Sequence, residues 1–212
     1  MKDIFDQIKG FGLVPVIKIE KPSDAVLLGK ALIEGGLPIA EITFRTSAAA
    51  DSIKYLRGEF PSMLVGAGTV TTIAQVETAI DSGAMFIVTP GFNPKIVDFC
   101  LSKNIPIIPG VNSPSQIEQG LERGLFMLKF FPAEASGGVK MLKALHGPYS
   151  EVSFVPTGGI DAANLQTYIQ LPYVAAIGGS WMVKEEMISA GKFEEITKLC
   201  KEARELVNLY RK

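Results

Sequence analysis

The chain has 212 residues, of which 47% are hydrophobic, so we expect one domain with a sizeable core. Its 21 Lys and Arg residues nearly balance its 22 Asp and Glu residues, which argues against a nucleic-acid-binding protein and against a polybasic membrane surface. The N-terminal stretch lacks the apolar run and cleavage site of a signal peptide, and no window has the length of a membrane-spanning helix. We therefore expect a soluble cytoplasmic protein.

Short β-branched runs alternate with helical patterns along the whole chain. Their spacing of roughly 20 to 26 residues fits one strand, one helix and two short loops. Most of the runs are almost wholly apolar, which is typical of parallel strands covered on both faces. The predicted strands are Leu13–Ile19, Ile39–Phe44, Leu64–Ala67, Met85–Val88, Ile105–Ile108, Met127–Phe131, Ser153–Val155 and Val174–Ile177.

Capping residues and apolar periodicity predict helices between these strands. The first residues form a short amphipathic stretch, and Ser23-Asp24, Asn93-Pro94, Ser113-Pro114 and Asp161 each precede a helical pattern. The segment Glu194–Leu206 predicts a final helix that covers the sheet.

Eight consecutive βα units predict a single (β/α)8 TIM barrel over residues 1–212, with short loops and a short N-terminal helix. The alternative is an open doubly wound sheet, whose dinucleotide-binding form needs a Gly-x-Gly-x-x-Gly turn. Gly66-Ala67-Gly68 begins that pattern, but Thr71 occupies the position of the third glycine. The sequence therefore favours the barrel and disfavours a dinucleotide site.

The cysteines and the histidine offer little for metal or nucleophilic chemistry. Cys100 and Cys200 are far apart and lack any metal-binding or redox spacing, so we expect them to be core residues of helices. His146 is the only histidine, which makes a histidine-based metal cluster or a Ser-His-Asp triad hard to build. It precedes Gly147-Pro148 and is expected to mark a helix end.

Lys129 is the most unusual residue of the predicted strands, because it interrupts an otherwise apolar segment. Side chains alternate along a strand, so Lys129 shares a face with Met127 and Phe131. Poor hydration there disfavours the ammonium form, and a neutral amine can attack a carbonyl to form an imine. The alternative is a structural lysine paired with a carboxylate at a strand edge.

The second strand ends in polar residues. Glu41, Thr43 and Arg45 share one face, whereas barrel interiors are usually filled with branched apolar side chains. Glu41 could act as a general acid and base, and Arg45 could bind a carboxylate through two hydrogen bonds. The alternative is a plain Glu41–Arg45 ion pair that fixes the strand.

Glycine turns follow the last two predicted strands. Gly158-Gly159 follows the seventh strand, and Gly178-Gly179-Ser180 follows the eighth. Glycines let the backbone approach an anion closely, and the loops after strands seven and eight form the recurrent phosphate site of barrels. Together they predict a phosphate site, although ordinary tight turns would explain either one alone.

Three further residues end strands on the same side of the predicted barrel. Thr69 offers a hydroxyl after the third strand, and Pro90 gives a rigid wall after the fourth. Lys18 shares a face with Val16 and Val14 in the first strand. It is a second candidate amine, or a cation beside Lys129.

These residues resemble the class I aldolases that act on 2-keto-3-deoxy-6-phosphogluconate (KDPG) and 4-hydroxy-2-oxoglutarate (KHG). The resemblance covers nearly the whole chain. It is most specific in five blocks that occur in the family's order, namely Glu41–Thr46, Val65–Val70, Lys129–Glu134, Pro156–Ile160 and Ile177–Trp181. At Lys18 the family more often has Arg or an apolar residue, which leaves the preference at the distal end of the substrate open.

The resemblance implies a role for each matched residue. Lys129 matches the imine-forming lysine, and Glu41 matches the general acid and base. The carboxylate of the substrate would be held by Arg45 and Thr69, in a pocket lined by Pro90, Phe131 and Thr157. The phosphate would bind to the turns of Gly158, Gly159, Gly179 and Ser180.

The resemblance further implies an enzyme without metal or other cofactor, a small keto-acid substrate, and a homotrimer. Alternatives are a sugar-phosphate barrel isomerase or synthase that uses Glu41 and the glycine turns without an imine, and a catalytically silent keto-acid or phosphate binder. The sequence also leaves the configuration at C4 of the substrate open, so a galactonate-pathway aldolase is a third possibility.

Overall fold

A computed structural model describes residues 2–211. Within these residues the strands are β1 (Leu13–Ile17), β2 (Ile39–Thr43), β3 (Leu64–Gly68), β4 (Ile87–Val88), β5 (Ile107–Ile108), β6 (Gly110–Val111), β7 (Met127–Phe130), β8 (Ser153–Pro156) and β9 (Ile177–Gly179). The α-helices are α1 (Lys2–Phe11), α2 (Ala25–Glu34), α3 (Ala49–Glu59), α4 (Ile73–Asp81), α5 (Pro94–Ser102), α6 (Pro114–Leu121), α7 (Gly138–His146), α8 (Leu165–Ile169), α9 (Glu185–Ser189) and α10 (Phe193–Tyr210).

All paired strands run parallel, in two sheets. The larger sheet has the order β5-β4-β3-β2-β1-β9, and the smaller one has the order β6-β7-β8. Isolated parallel bridges join Phe154 to Val174 and Thr157 to Gly178, next to β8 and β9. Only Pro109 separates β5 from β6, and its carbonyl accepts a 2.9 Å hydrogen bond from the Lys129 amide. The chain is thus an α/β protein whose parallel sheet forms a half-barrel, with its helices between the strands.

The last predicted strand is the one that differs most from the structure. The β-branched run predicted Val174–Ile177, but β9 begins at Ile177 and continues through Gly179. Val174 makes only a bridge to Phe154, whereas Gly178 and Gly179 pair with Val14 and Pro15 of β1. Glycines give no apolar alternation, so the sequence pattern placed these two in a turn rather than in the strand.

Asn93 and Asp161 both accept a hydrogen bond from a backbone amide, but only Asn93 stands directly before its helix. The Asn93 side chain accepts a 3.1 Å hydrogen bond from the Lys95 amide, which starts α5 as predicted. Asp161 instead bonds the Ala163 amide at 2.8 Å, and α8 begins only at Leu165. The prediction that Asp161 directly caps this helix was therefore wrong by one turn.

The core lies between the strands and the helices and is almost wholly apolar. Both cysteines are fully buried in it, as expected, and burial raises the pKa of Cys100 to about 11 and that of Cys200 to about 12. His146 is the last residue of α7, as predicted, and stacks on Tyr173 with 3.7 Å between ring centroids.

Of the helices within residues 2–211, none is long and apolar enough to cross a membrane.

Candidate active site

Buried polar side chains concentrate on the strands and at their carboxyl ends. Among the described residues, the polar or charged side chains that are buried are Glu41, Thr43, Ser52, Thr89, Lys129 and Thr157. All except Ser52, which lies in α3, belong to a strand or directly follow one. Buried polar groups cost free energy unless they are paired or used, so this concentration marks a candidate site.

Lys129 and Glu41 meet in the interior although they belong to different sheets. Lys129 lies in β7, Glu41 lies in β2, and the Lys129 Nζ is 3.3 Å from the Glu41 Oε1. The two residues are only 4% and 3% exposed. The Lys129 Nζ also lies 5.2 Å from the centre of the Phe131 ring. An amine and a carboxylate are thus held within reach of proton transfer, directly or through one water.

A cavity of about 290 Å³ opens beside this pair. Ten of the twelve predicted site residues line it. They are Arg45, Thr69, Pro90, Lys129, Phe131, Thr157, Gly158, Gly159, Gly179 and Ser180. The strand ends and the glycine turns therefore converge on one concave site, as small-molecule sites generally require.

The Arg45 side chain is fixed at the cavity wall by a short chain of hydrogen bonds. Its Nε donates to the Thr43 Oγ1 at 3.2 Å, and the Thr43 hydroxyl donates to the Ile17 carbonyl at 2.7 Å. The ionic partner of Glu41 is Lys129, so the alternative of a plain Glu41–Arg45 ion pair does not describe the site. A guanidinium held in this way suits a substrate carboxylate.

The glycines of the first turn and of β9 are needed for their conformation and for space. Gly158 and Gly159 have φ angles of 103° and 77°, in the region that favours glycine. A Cβ at Gly178 would lie 2.2 Å from the Thr157 Oγ1. The backbone at this end of the cavity is therefore bare, and its amides can approach an anion closely.

The structure places Lys18 outside the cavity wall, contrary to the expectation of a second amine beside Lys129. Lys18 follows β1, and its Nζ lies 2.8 Å from a Glu20 oxygen and 2.9 Å from a Glu185 oxygen. These hydrogen bonds, that with Glu20 foremost, raise the pKa of Lys18. Since a protonated amine does not attack a carbonyl, the arrangement disfavours Lys18 as the nucleophile.

Four residues of the cavity wall were not among the predicted site residues. These are Val16, Thr43, Ile160 and Gly178. Alternation along the first two strands already put Val16 and Thr43 on the inner face, so both could have been predicted.

Among residues 2–211, no group of three or more His, Cys, Asp or Glu side chains could hold a metal ion.

The sequence of residues 4–199 matches the protein family described as KDPG and KHG aldolase. The chain belongs to this aldolase family. It is 48% identical over 206 residues to the 2-dehydro-3-deoxy-phosphogluconate aldolase of Haemophilus influenzae, covering 97% of either chain. It is 44% identical over 191 residues to the KHG/KDPG aldolase of Escherichia coli K12, covering 90% of either chain.

A solved structure of this aldolase family has the same fold. The KDPG aldolase of Legionella pneumophila is 41% identical and superposes with a TM-score of 0.90, covering 93% of this chain and 96% of that one. In that structure pyruvate was captured at low pH as a covalent carbinolamine intermediate. A carbinolamine is the adduct that precedes an imine. Imine formation is the chemistry that the family resemblance implies for Lys129.

Gly68, at the end of β3, controls where the Glu41 carboxylate can lie. A Cβ at Gly68 would be 2.2 Å from the Glu41 Oε1. We expect Gly68→Ala to displace this carboxylate and to lower kcat about 100-fold, because a shift of about 1 Å can cost that much. Steady-state kinetics test this, with Gly58→Ala as the control, since nothing lies within 4 Å of a Cβ there. Equal kcat values for the two variants would show that Gly68 does not set the Glu41 position.

Proposed function

We propose that this chain is a class I aldolase that cleaves KDPG to pyruvate and glyceraldehyde 3-phosphate, KHG to pyruvate and glyoxylate, or both. The observation that carries the proposal is the buried contact between the Glu41 carboxylate and the Lys129 amine, which lines the cavity. Membership of the KDPG and KHG aldolase family supports the same reaction. A barrel isomerase or synthase that works without an imine would not need Lys129.

The reaction begins with the formation of an imine. The Lys129 Nζ attacks the C2 carbonyl of the keto acid to give a carbinolamine, which loses water to give a protonated imine. Arg45 and Thr69 hold the substrate carboxylate, while Pro90 and Phe131 form the adjacent wall. All four line the cavity with Lys129, which supports this orientation of the substrate.

Cleavage then uses the protonated imine as an electron sink. Glu41, directly or through a water, removes the proton of the C4 hydroxyl, and the C3–C4 bond breaks with its electron pair moving toward the imine. The aldehyde leaves, and an enamine of pyruvate stays on Lys129. Glu41 returns a proton to C3, and water hydrolyses the resulting imine to release pyruvate and the free amine.

The distal end of the phosphorylated substrate would bind to the glycine turns. Gly158, Gly159, Gly179 and Ser180 line the same cavity as Lys129 and Thr157. Backbone amides of such turns bind anions without a lysine or arginine. This favours the phosphorylated keto acid and does not exclude the smaller one.

We further propose that residues 1–212 form one domain in which the strands close into a (β/α)8 barrel. The bridges of Phe154 with Val174 and of Thr157 with Gly178 connect the two sheets at one seam. At the other seam only Pro109 interrupts the chain between β5 and β6. Counting β5 and β6 as one bent strand gives the eight strands of a barrel.

The assembly proposed from the family resemblance is a homotrimer that binds a small keto acid. Multi-angle light scattering at several protein concentrations tests the trimer. A monomer mass at all of them would contradict it.

Pyruvate release from each keto acid, coupled to lactate dehydrogenase, tests the proposed reaction. We expect turnover with KDPG and with KHG, and the phosphate turns predict a lower KM for KDPG. Lactate dehydrogenase alone with each substrate is the control. A folded protein that releases no pyruvate from either compound would overturn the aldolase assignment and favour an isomerase or a binding protein.

A further inference from the structure

Two residues outside the cavity wall lie directly behind the first glycine turn. Glu134 belongs to the loop after β7, and Tyr168 lies in α8, the helix that follows the turn. The Tyr168 hydroxyl donates a hydrogen bond to the Glu134 carboxylate. Neither residue lines the cavity, and the proposed reaction uses neither.

Glu134 is attached to the turn through its backbone and through its side-chain stem. Its amide donates a 3.1 Å hydrogen bond to the Gly158 carbonyl, next to the 2.8 Å bond from the Ala133 amide to the Thr157 carbonyl. A Cβ at Gly159 would lie 2.7 Å from the Cβ and 2.8 Å from the Cγ of Glu134. The methylene stem of Glu134 therefore packs against the bare backbone of Gly159.

Tyr168 holds the other end of Glu134 and cannot move readily. The Tyr168 side chain is fully buried. Burial, and secondarily the hydrogen bond to Glu134, raises the pKa of Tyr168, so its hydroxyl stays a donor at physiological pH. The Glu134 oxygen and the Tyr168 hydroxyl also meet at Gly138, where an added Cβ would lie 3.1 and 3.2 Å from them. The absence of a side chain at Gly138 leaves room for the pair.

We propose that Glu134 and Tyr168 are positioning residues that hold Gly158 and Gly159 in the shape that receives the phosphate of the substrate. This inference rests on the proposed aldolase function and on the phosphate site at that turn. The pair also keeps the Glu134 carboxylate on Tyr168, so that this negative charge does not approach the bound phosphate. Both effects act on the distal end of the substrate and not on Lys129 or Glu41.

The proposal predicts a loss that depends on the phosphate. Tyr168→Phe keeps the buried ring and removes only the hydroxyl, so the Glu134 carboxylate becomes free to turn toward the phosphate. We expect the KM for KDPG to rise about 5- to 20-fold, which corresponds to the loss of about one hydrogen bond. We expect kcat with KDPG, and both kcat and KM with KHG, to stay within about twofold of the wild-type values, because KHG carries no phosphate.

Two Glu134 variants separate the packing of this residue from its charge. Glu134→Gln keeps the stem, and its amide oxygen can accept from Tyr168, so it should retain a KM for KDPG near the wild-type value. Glu134→Ala removes the stem from Gly159 and should raise this KM as Tyr168→Phe does. In the double variant Tyr168→Phe/Glu134→Gln the charge can no longer repel the phosphate, so part of the loss should be recovered.

Tyr149→Phe is the matched control, since the Tyr149 hydroxyl donates to the Glu118 Oε1 at 2.8 Å outside the cavity wall. It should leave the kinetics with both substrates unchanged. An unchanged KM for KDPG in Tyr168→Phe and Glu134→Ala would overturn the positioning role. Equal losses with KDPG and KHG would also overturn it, because they would indicate a general structural effect. Failure of the wild-type chain to cleave either substrate would instead reject the proposed function itself.

Discussion

Replacing Lys129 with alanine should abolish aldol cleavage, with kcat at least about 10⁴-fold below the wild-type value. Without the amine no imine forms, so the electrons of the C3–C4 bond have no acceptor. The coupled pyruvate assay measures the loss. Reduction with borohydride in the presence of pyruvate, followed by peptide mass mapping, should place a reduced pyruvyl adduct on Lys129 of the wild-type protein.

Two further variants make this test decisive. Lys129→Ala leaves the buried Glu41 carboxylate without its partner, which can destabilise the fold. Lys129→Gln keeps a hydrogen-bond donor for Glu41 and cannot form an imine, so it should fold and be equally inactive. Lys54→Ala, at an exposed lysine of α3, should behave as the wild type.

The results that would contradict the Lys129 assignment are specific. Substantial turnover by folded Lys129→Gln would reject Lys129 as the nucleophile. An adduct on Lys18 would keep the reaction class and move the nucleophile to the end of β1. The ion pairs of Lys18 with Glu20 and Glu185 argue against that result.

Replacing Glu41 with glutamine should lower kcat about 10²- to 10⁴-fold, the range that a general acid and base contributes. Glutamine has nearly the same shape and can still accept from the Lys129 Nζ, but it cannot take up the C4 hydroxyl proton. The adduct with pyruvate and borohydride should still form on Lys129. Activity lost with trapping retained would therefore assign Glu41 to proton transfer in cleavage.

Glu122→Gln is a suitable control for this substitution, because the Glu122 side chain is 74% exposed. It should have the wild-type kcat. A kcat for Glu41→Gln within about tenfold of wild type would show that another group moves the proton. Loss of the borohydride adduct in a folded Glu41→Gln protein would show that Glu41 acts earlier, in the formation of the imine.

Much of the candidate site could be predicted from local patterns. Alternation put Glu41 and Arg45 on one face of the second strand and Lys129 on one face of the sixth predicted strand, and their polar character among apolar residues identified them. The glycine pairs identified the turns that an anion could approach. These predictions succeeded because a strand's two faces and a glycine's conformational freedom depend on neighbouring residues only.

Only the tertiary structure decided which of these groups meet. Glu41 and Lys129 are 88 residues apart, and their 3.3 Å contact depends on how the two sheets are arranged in space. The same arrangement turned Lys18 toward Glu185, which is 167 residues away, and not into the cavity. Both contacts join elements that are far apart in the sequence, so no local pattern predicts them.

The close contacts of side chains with glycines also depend on the tertiary structure and could not be predicted from local patterns. The sequence by itself determined an α/β chain of parallel strands, its polar strand ends and the family resemblance. The tertiary structure decided that Gly68 makes room for Glu41, that Gly178 belongs to a strand, and that Tyr168 reaches Glu134 behind the phosphate turn. Periodicity is a property of one segment, whereas packing distances exist only after segments far apart in the chain have come together.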